Sequence, residues 1–167
     1  MTARLRSLLV VLSVCTCTAA TAAQKDVNYV PELSCSRGPH ALRLPKSYDA
    51  LKALGQLRRE KVIASQDWDK YKTHEVELLF DGLRLTVVTF TNDKVRYLIS
   101  GAEITDRRWN VVGSFKVGDT IGEAAKRLNA RLNPKASPLQ FGGDTDSVAF
   151  KVINGRVVAI TYDCYTG

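Results

Sequence analysis

The chain has 167 residues, 45% hydrophobic and 25% charged, with 24 Lys and Arg against 17 Asp and Glu for a net charge of +7. Such a length and apolar content provide for one domain with its own core, and exclude a disordered or low-complexity chain. The basic excess is modest and favours an acidic partner; no nucleic-acid-binding motif accompanies it, so nucleic acid is not expected.

Residues 1–23 read as a signal peptide. Arg4 and Arg6 precede the apolar run Leu8 to Val14, and Ala20 to Ala23 supply the small-residue cleavage site. A membrane span takes ~20 apolar residues, so this run predicts export without a transmembrane anchor in the mature chain. Cys15 and Cys17 follow Val14 and Thr16, whereas lipid-modified cysteines follow Gly, Ala or Ser, so lipidation is not expected. Cleavage lowers the net charge from +7 to +5 and leaves Cys35 and Cys164. An even pair in an exported chain predicts one disulfide, here tying an N-terminal arm to the chain's last strand. A reactive Cys35 near His40 is the competing reading, and Cys164 weighs against it. Localisation is accordingly predicted as periplasmic or secreted.

Residues 24–46 contain Pro31, Gly38 and Pro39 and read as an irregular arm. Ser47 is a predicted N-cap, followed by Tyr48, Leu51, Leu54 and Leu57 at helical spacing, with Gly55 suited to a left-handed C-cap. Arg58 to His74 is polar and reads as a loop or irregular helix. Glu75 to Thr91 reads as a hairpin turned at Asp81-Gly82, pairing Phe80 with Leu83, Leu78 with Leu85 and Val76 with Val87. Its second face carries Glu75, Glu77, Leu79, Arg84, Thr86 and Val88. Asn92-Asp93 turns into a third strand through Val95, Tyr97 and Ile99.

Val111 to Val117 reads as a short apolar strand. Thr120 and Glu123 form a capping box, opening a helix through Leu128 toward Leu132 that ends before Pro134. Lys135 to Asp146 reads as a loop. The final hairpin turns at Asn154-Gly155, and an uninterrupted register pairs Val152 with Val157, Phe150 with Ala159 and Val148 with Thr161.

Thirty-four positions separate Ser47 from Asp81, and the same number separate Thr120 from Asn154. This equal spacing predicts an α+β fold of two helix–antiparallel-hairpin units, 47–110 and 111–167, as a possible duplication within one compact domain. Each short helix would cover one face of its sheet.

The step Val117-Gly118-Asp119-Thr120, a helix and an Asn-Gly-turned strand pair together resemble a group of exported bacterial modules. These are the small outer-membrane assembly lipoproteins, with one such unit, and the secreted β-lactamase-inhibitor protein, with two in tandem. Phe115 to Tyr162 carries most of the likeness, and Ser47 to Ile99 follows it more loosely. The resemblance implies a protein that binds other macromolecules and has no catalytic site.

Chemistry is sparse. His40 and His74 are the only histidines, and no HExxH, paired CxxC or GxSxG motif is present, so no metal or cofactor is expected. Gly143 to Ser147 lacks the remainder of a calcium loop and reads as a turn. Trp68, Tyr71, Trp109, Tyr162 and Tyr165 lie beside charges, the composition of interface hot spots. Trp109 with Arg107 and Arg108 forms the sharpest cluster, although a Trp plugging the edge of the core fits the same residues. Lys126, Arg127, Arg131 and Lys135 read as a solvated helix face.

The leading expectation is an exported, non-enzymatic binding protein of the bacterial envelope, an inhibitor or immunity-type protein neutralising another protein. Trp109, Arg107, Arg108, Trp68 and Tyr71 would contact that protein or an acidic envelope surface. The alternative is an outer-membrane-associated assembly component. The third, a cell-wall hydrolase, would use Asp144, Asp146 or a carboxylate near Trp68, such as Asp67 or Asp69.

Overall fold

A computed structural model describes residues 28–131 and 139–166. The signal-peptide segment, Leu132 and Lys135 lie outside the described residues. Ten elements follow in order: β1 (Asn28–Tyr29), α1 (Tyr48–Lys52), β2 (Leu57–Asp67), β3 (Lys72–Phe80), β4 (Leu83–Phe90), β5 (Asp93–Ile104), α2 (Ile121–Arg127), β6 (Leu139–Gly142), β7 (Ser147–Ile153) and β8 (Arg156–Asp163). The eight strands form one sheet in the order β1-β6-β7-β8-β5-β4-β3-β2. Only the β1–β6 pair is parallel.

This corrects the expected α+β architecture. The protein is mostly β, and helices of five and seven residues do not cover a sheet face. Much of the core is closed by irregular chain: Val30, Leu33, Cys35 and Leu42 of the arm, and Val111, Val112 and Phe115 of the segment before α2, are all buried. Val111 to Val117 makes one isolated bridge, Leu42 to Val112, in place of the expected strand. The two expected units also share one sheet, because β5 pairs with β8 from Gly101–Asp163 to Ile104–Ile160.

The helix caps follow the sequence. Ser47 Oγ accepts the Ala50 N–H, and Thr120 with Glu123 forms the reciprocal box. Asn129 takes the left-handed conformation after α2, at φ 52°. Gly55 does not have that role. A Cβ there would lie 2.9 Å from the Trp109 ring, so its missing side chain makes room for the indole.

Leu57 is not a helical residue but the start of β2, which with β3 forms a long hairpin where a loop was expected. An edge strand buries neither face, and β2 is exposed along its length apart from half-buried Leu57. It therefore lacks the alternation that marks a strand in sequence. Cross-strand pairs hold it instead, with Arg59 on Glu77 and Lys72 on Asp67. β6 likewise occupies part of the expected 135–146 loop.

The β3–β4 register agrees with the sequence reading at all three named pairs. In β7–β8 the Asn154-Gly155 turn and the Val152–Val157 pair hold, with φ 51° and 73° at the turn. A bulge between Lys151 and Val152 then shifts the register, so Phe150 faces Ile160 and Val148 faces Tyr162. The extra residue on β8 turns Ile160 and Tyr162 into the core and leaves Thr161 exposed, while Ala159 stays buried opposite Lys151. Tyr162 is 2% exposed and donates its hydroxyl to the His40 carbonyl at 2.7 Å, so it is a core residue and not a surface aromatic.

The Cys35–Cys164 disulfide is present, with Cα atoms 5.8 Å apart and 129 positions between them. Asp146 braces it. Its carboxylate accepts the Cys35 N–H at 2.7 Å and the Tyr165 N–H at 2.8 Å, one from each side of the bridge.

Candidate binding surface

Alternation along β3, β4 and β5 directs Val76, Leu78, Phe80, Leu83, Leu85, Val87, Ala102 and Ile104 to the core. The opposite face receives Glu75, Glu77 and Leu79 from β3 and Arg84, Thr86, Val88 and Phe90 from β4. Leu98 and Glu103 join them from β5. None of these is buried; Arg84 is exposed and the others half-buried. The arm, α1 and the segment before α2 contribute their buried residues to the core, so among the described residues this second face is left open.

Charges of alternating sign cross four strands on the open face. Arg59 of β2 bonds Glu77 of β3 at 2.5 Å, Arg84 of β4 approaches the same Glu77 at 3.8 Å, and Arg84 also pairs with Glu103 of β5. Pairs this exposed stabilise little individually, about 0–1 kcal/mol. They do fix four long side chains in register on an otherwise flat surface.

Toward the β2–β3 turn the same face becomes an aromatic cleft of about 600 Å³, bounded by Trp68, Tyr71, Glu75, Val88, Phe90 and Leu98, with Thr166 at its margin. Trp68 stacks on Tyr71 at 6.1 Å between centroids, and Tyr71 meets Phe90 at 6.1 Å. The Trp68 indole N–H donates to Thr73 Oγ1 at 3.3 Å, and the Trp68 amide N–H donates to the Tyr71 carbonyl at 2.9 Å. Trp68 nonetheless remains 49% exposed. The ring is held in place and still presents half its surface to solvent.

The five predicted contact residues do not share a surface. Trp68 and Tyr71 precede β3 and the Trp109 cluster packs at its far end, which nine residues at ~3.3 Å each place roughly 30 Å away. Trp109 donates its indole N–H to the Asp81 carbonyl at 2.7 Å and meets Phe80 edge-on at 5.6 Å, closing the rim of the core. Arg108 is bound to Asp106 through Nε at 2.9 Å and Nη2 at 2.7 Å, and Arg107 is exposed. Beside them Arg58 grips Asp81 through two bonds of 3.0 and 2.6 Å, holding the Asp81 carboxyl below its ordinary range. Asp106 is lowered likewise by hydrogen bonds from Arg108.

Three of the four carboxylates named for hydrolysis are engaged elsewhere, and the fourth, Asp69, is exposed. Asp144 accepts the Tyr29 hydroxyl at 2.6 Å, and Asp146 is bound to the backbone around the disulfide. Asp67 pairs with Lys72. His40 is buried, with Nδ1 3.0 Å from Ser114 Oγ and its ring stacked on Phe115; desolvation lowers its pKa, opposed in part by the charge of Glu32. His74 Nδ1 lies 2.8 Å from Ser65 Oγ on the exposed β2–β3 hairpin. Among the described residues no three His, Cys, Asp or Glu gather closely enough to hold a metal ion, and no helix is long and apolar enough to cross a membrane.

Glu75, Arg84, Phe90 and Glu103 were not singled out from sequence as contact residues. The hairpin register was enough to place Glu75, Glu77 and Arg84 on one face. Their relation to Arg59 and Glu103 required the β2–β3 and β4–β5 pairings. No known protein family matches the chain, and no match is found among curated proteins or solved structures.

Proposed function

We propose that the protein is an exported, non-enzymatic binding protein of the bacterial cell envelope that neutralises another protein through the open face of its sheet. The observation carrying this reading is an exposed, uncovered sheet surface that combines a fixed charge ladder with a held but half-exposed aromatic cluster. Four strands ~4.8 Å apart and roughly 30 Å long give that face on the order of 600 Å². A standard interface occupies about 800 Å² per partner. The disulfide is consistent with a location outside the cytoplasm, and periplasmic or secreted localisation belongs to this proposal. Of the two expected aromatic clusters, the Trp68–Tyr71 pair fits the proposed role, and the Trp109 cluster fits a structural one.

Photo-crosslinking tests the surface. A photoreactive amino acid replaces Thr86, central on the open face, or Lys52 on the core side, in the protein as exported by its host. A single adduct from position 86, absent from position 52, is expected. Equal labelling at both positions, or labelling at 52 alone, overturns the assignment.

A further inference from the structure

Glu75 and Glu77 stand two positions apart on the open face of β3 and are treated differently. Glu77 lies between Arg59 and Arg84. Glu75 accepts a hydrogen bond from Ser100 Oγ at 3.1 Å, and among the described residues no Lys or Arg comes within ion-pair distance of it. It is half-buried in the wall of the aromatic cleft, and none of the described residues lining that cleft is basic.

The other walls strengthen the electrostatic bias. Aromatic rings carry negative charge over their faces and attract ammonium or guanidinium groups within ~6 Å of the centroid. Trp68 and Tyr71 offer such faces beside a carboxylate without a counter-ion, while Val88 and Leu98 supply an apolar floor for an aliphatic stem. A long basic side chain has this same division, with an apolar stem and a cationic head.

We propose that the cleft is a specificity pocket for a basic side chain, arginine or lysine, of the protein partner. The stem lies along Val88 and Leu98, and the head group lies between Glu75 and the Trp68–Tyr71 pair. This rests on the reading of the open face as a protein interface and adds the chemistry of one contact. The chain provides its own example at the rim, where the Arg96 guanidinium carbon stands 5.2 Å from the Phe90 centroid. Arg96 also repels an incoming cation, which allows a test of opposite sign.

The test is a titration of the oxidised, isotope-labelled protein with N-acetyl-arginine methylamide, and in parallel with its neutral isostere N-acetyl-citrulline methylamide. The two indole N–H resonances serve as probe and control, since Trp68 lines the cleft and Trp109 is bonded to Asp81 at the far end of β3. The arginine probe is expected to shift Trp68 saturably and leave Trp109 unmoved, with citrulline binding about ten-fold more weakly. Glu75→Gln, which keeps the Ser100 contact, should weaken the arginine probe about ten-fold, and Arg96→Gln should tighten it. A silent Trp68, equal affinity for citrulline, an unaffected Glu75→Gln variant or weaker binding by Arg96→Gln each overturns the pocket. The crosslink from position 86 is independent of Glu75. If it persists while the titration fails, only the pocket is lost; if it is lost while arginine still binds, the interface reading fails.

Discussion

Replacing Asp146 with Asn tests whether the end-to-end disulfide depends on a carboxylate brace. Asp146 is 6% exposed and accepts one backbone N–H from each side of the bridge, at Cys35 and at Tyr165. A hydrogen bond to a buried charged group contributes about 1.5–3 kcal/mol, and an amide N–H left without a partner costs about 1–3 kcal/mol. Asn retains one oxygen for one of the two donors and turns its own NH2 group toward the other. The expected loss in the oxidised protein is therefore roughly 2–4 kcal/mol. The disulfide closes a loop of 129 positions, for which the chain-entropy relation gives about 5 kcal/mol. Because both donors belong to residues that the bridge holds together, the two contributions are coupled. In a Cys35→Ser, Cys164→Ser background the arm and tail separate more readily, and Asp146→Asn should cost at least ~1 kcal/mol less. Urea unfolding of the four proteins, at constant m-value, measures the cycle. A cost below ~0.5 kcal/mol in the oxidised protein, or the same cost in both backgrounds, refutes the brace.

Gly55→Ala directs a methyl group to within 2.9 Å of an indole pinned by the Asp81 carbonyl; it should destabilise by roughly 1–2 kcal/mol and alter the emission of Trp109, and unchanged stability would show that the ring can move aside. Burial lowers the His40 pKa, so below about 6.5 the unfolded chain binds a proton that the folded chain resists, and stability should fall as pH drops from that value toward the folded pKa. His40→Gln should flatten this slope in urea melts between pH 7 and pH 5, and an identical slope would assign it to other groups. Arg84→Glu reverses the centre of the charge ladder; it should change stability by no more than about 1 kcal/mol yet abolish the crosslink from position 86, and retention of that adduct would detach the ladder from binding.

The parts of the fold that were legible in sequence are those where one local rule acts alone. Asp81-Gly82 and Asn154-Gly155 demanded turns, and the apolar residues flanking Asp81-Gly82 set a register that the structure keeps. Ser47 and Thr120 demanded helix starts, but neither signal carries length, and propensity alone does not sustain a helix of one or two turns. Leu51, Leu54 and Leu57 repeat at helical spacing, yet α1 ends at Lys52 and Leu57 opens β2, because three apolar residues do not mark where a helix stops. β2 was hidden for the opposite reason: both of its faces meet solvent, so its mostly polar sequence and the adjacent Val62 and Ile63 show no alternation. The β7–β8 bulge was invisible because Ala159 and Ile160 are both apolar, and either could have faced inward. The candidate surface was half legible. Glu75, Glu77, Arg84 and Val88 followed from the hairpin register, whereas the separation of Trp68 from Trp109 depended on the full length of β3.

The two tryptophans show why composition could not assign their roles. Each lies among charges, and each spends its N–H on a hydrogen bond. The Trp109 donor is spent on a main-chain carbonyl at 2.7 Å, and its ring fills the gap left by Gly55 against Phe80, so moving it would open the core. Trp68 uses a side-chain hydroxyl at 3.3 Å on a hairpin whose outer strand buries nothing fully, and its ring stacks on Tyr71. Loss of Trp109 therefore acts through stability, while loss of Trp68 removes exposed aromatic surface at little cost to the fold. That asymmetry is what a binding residue requires: a ring ordered before the partner arrives, so that little side-chain entropy is lost on docking, and free enough of the core that the partner and not the fold determines its contacts.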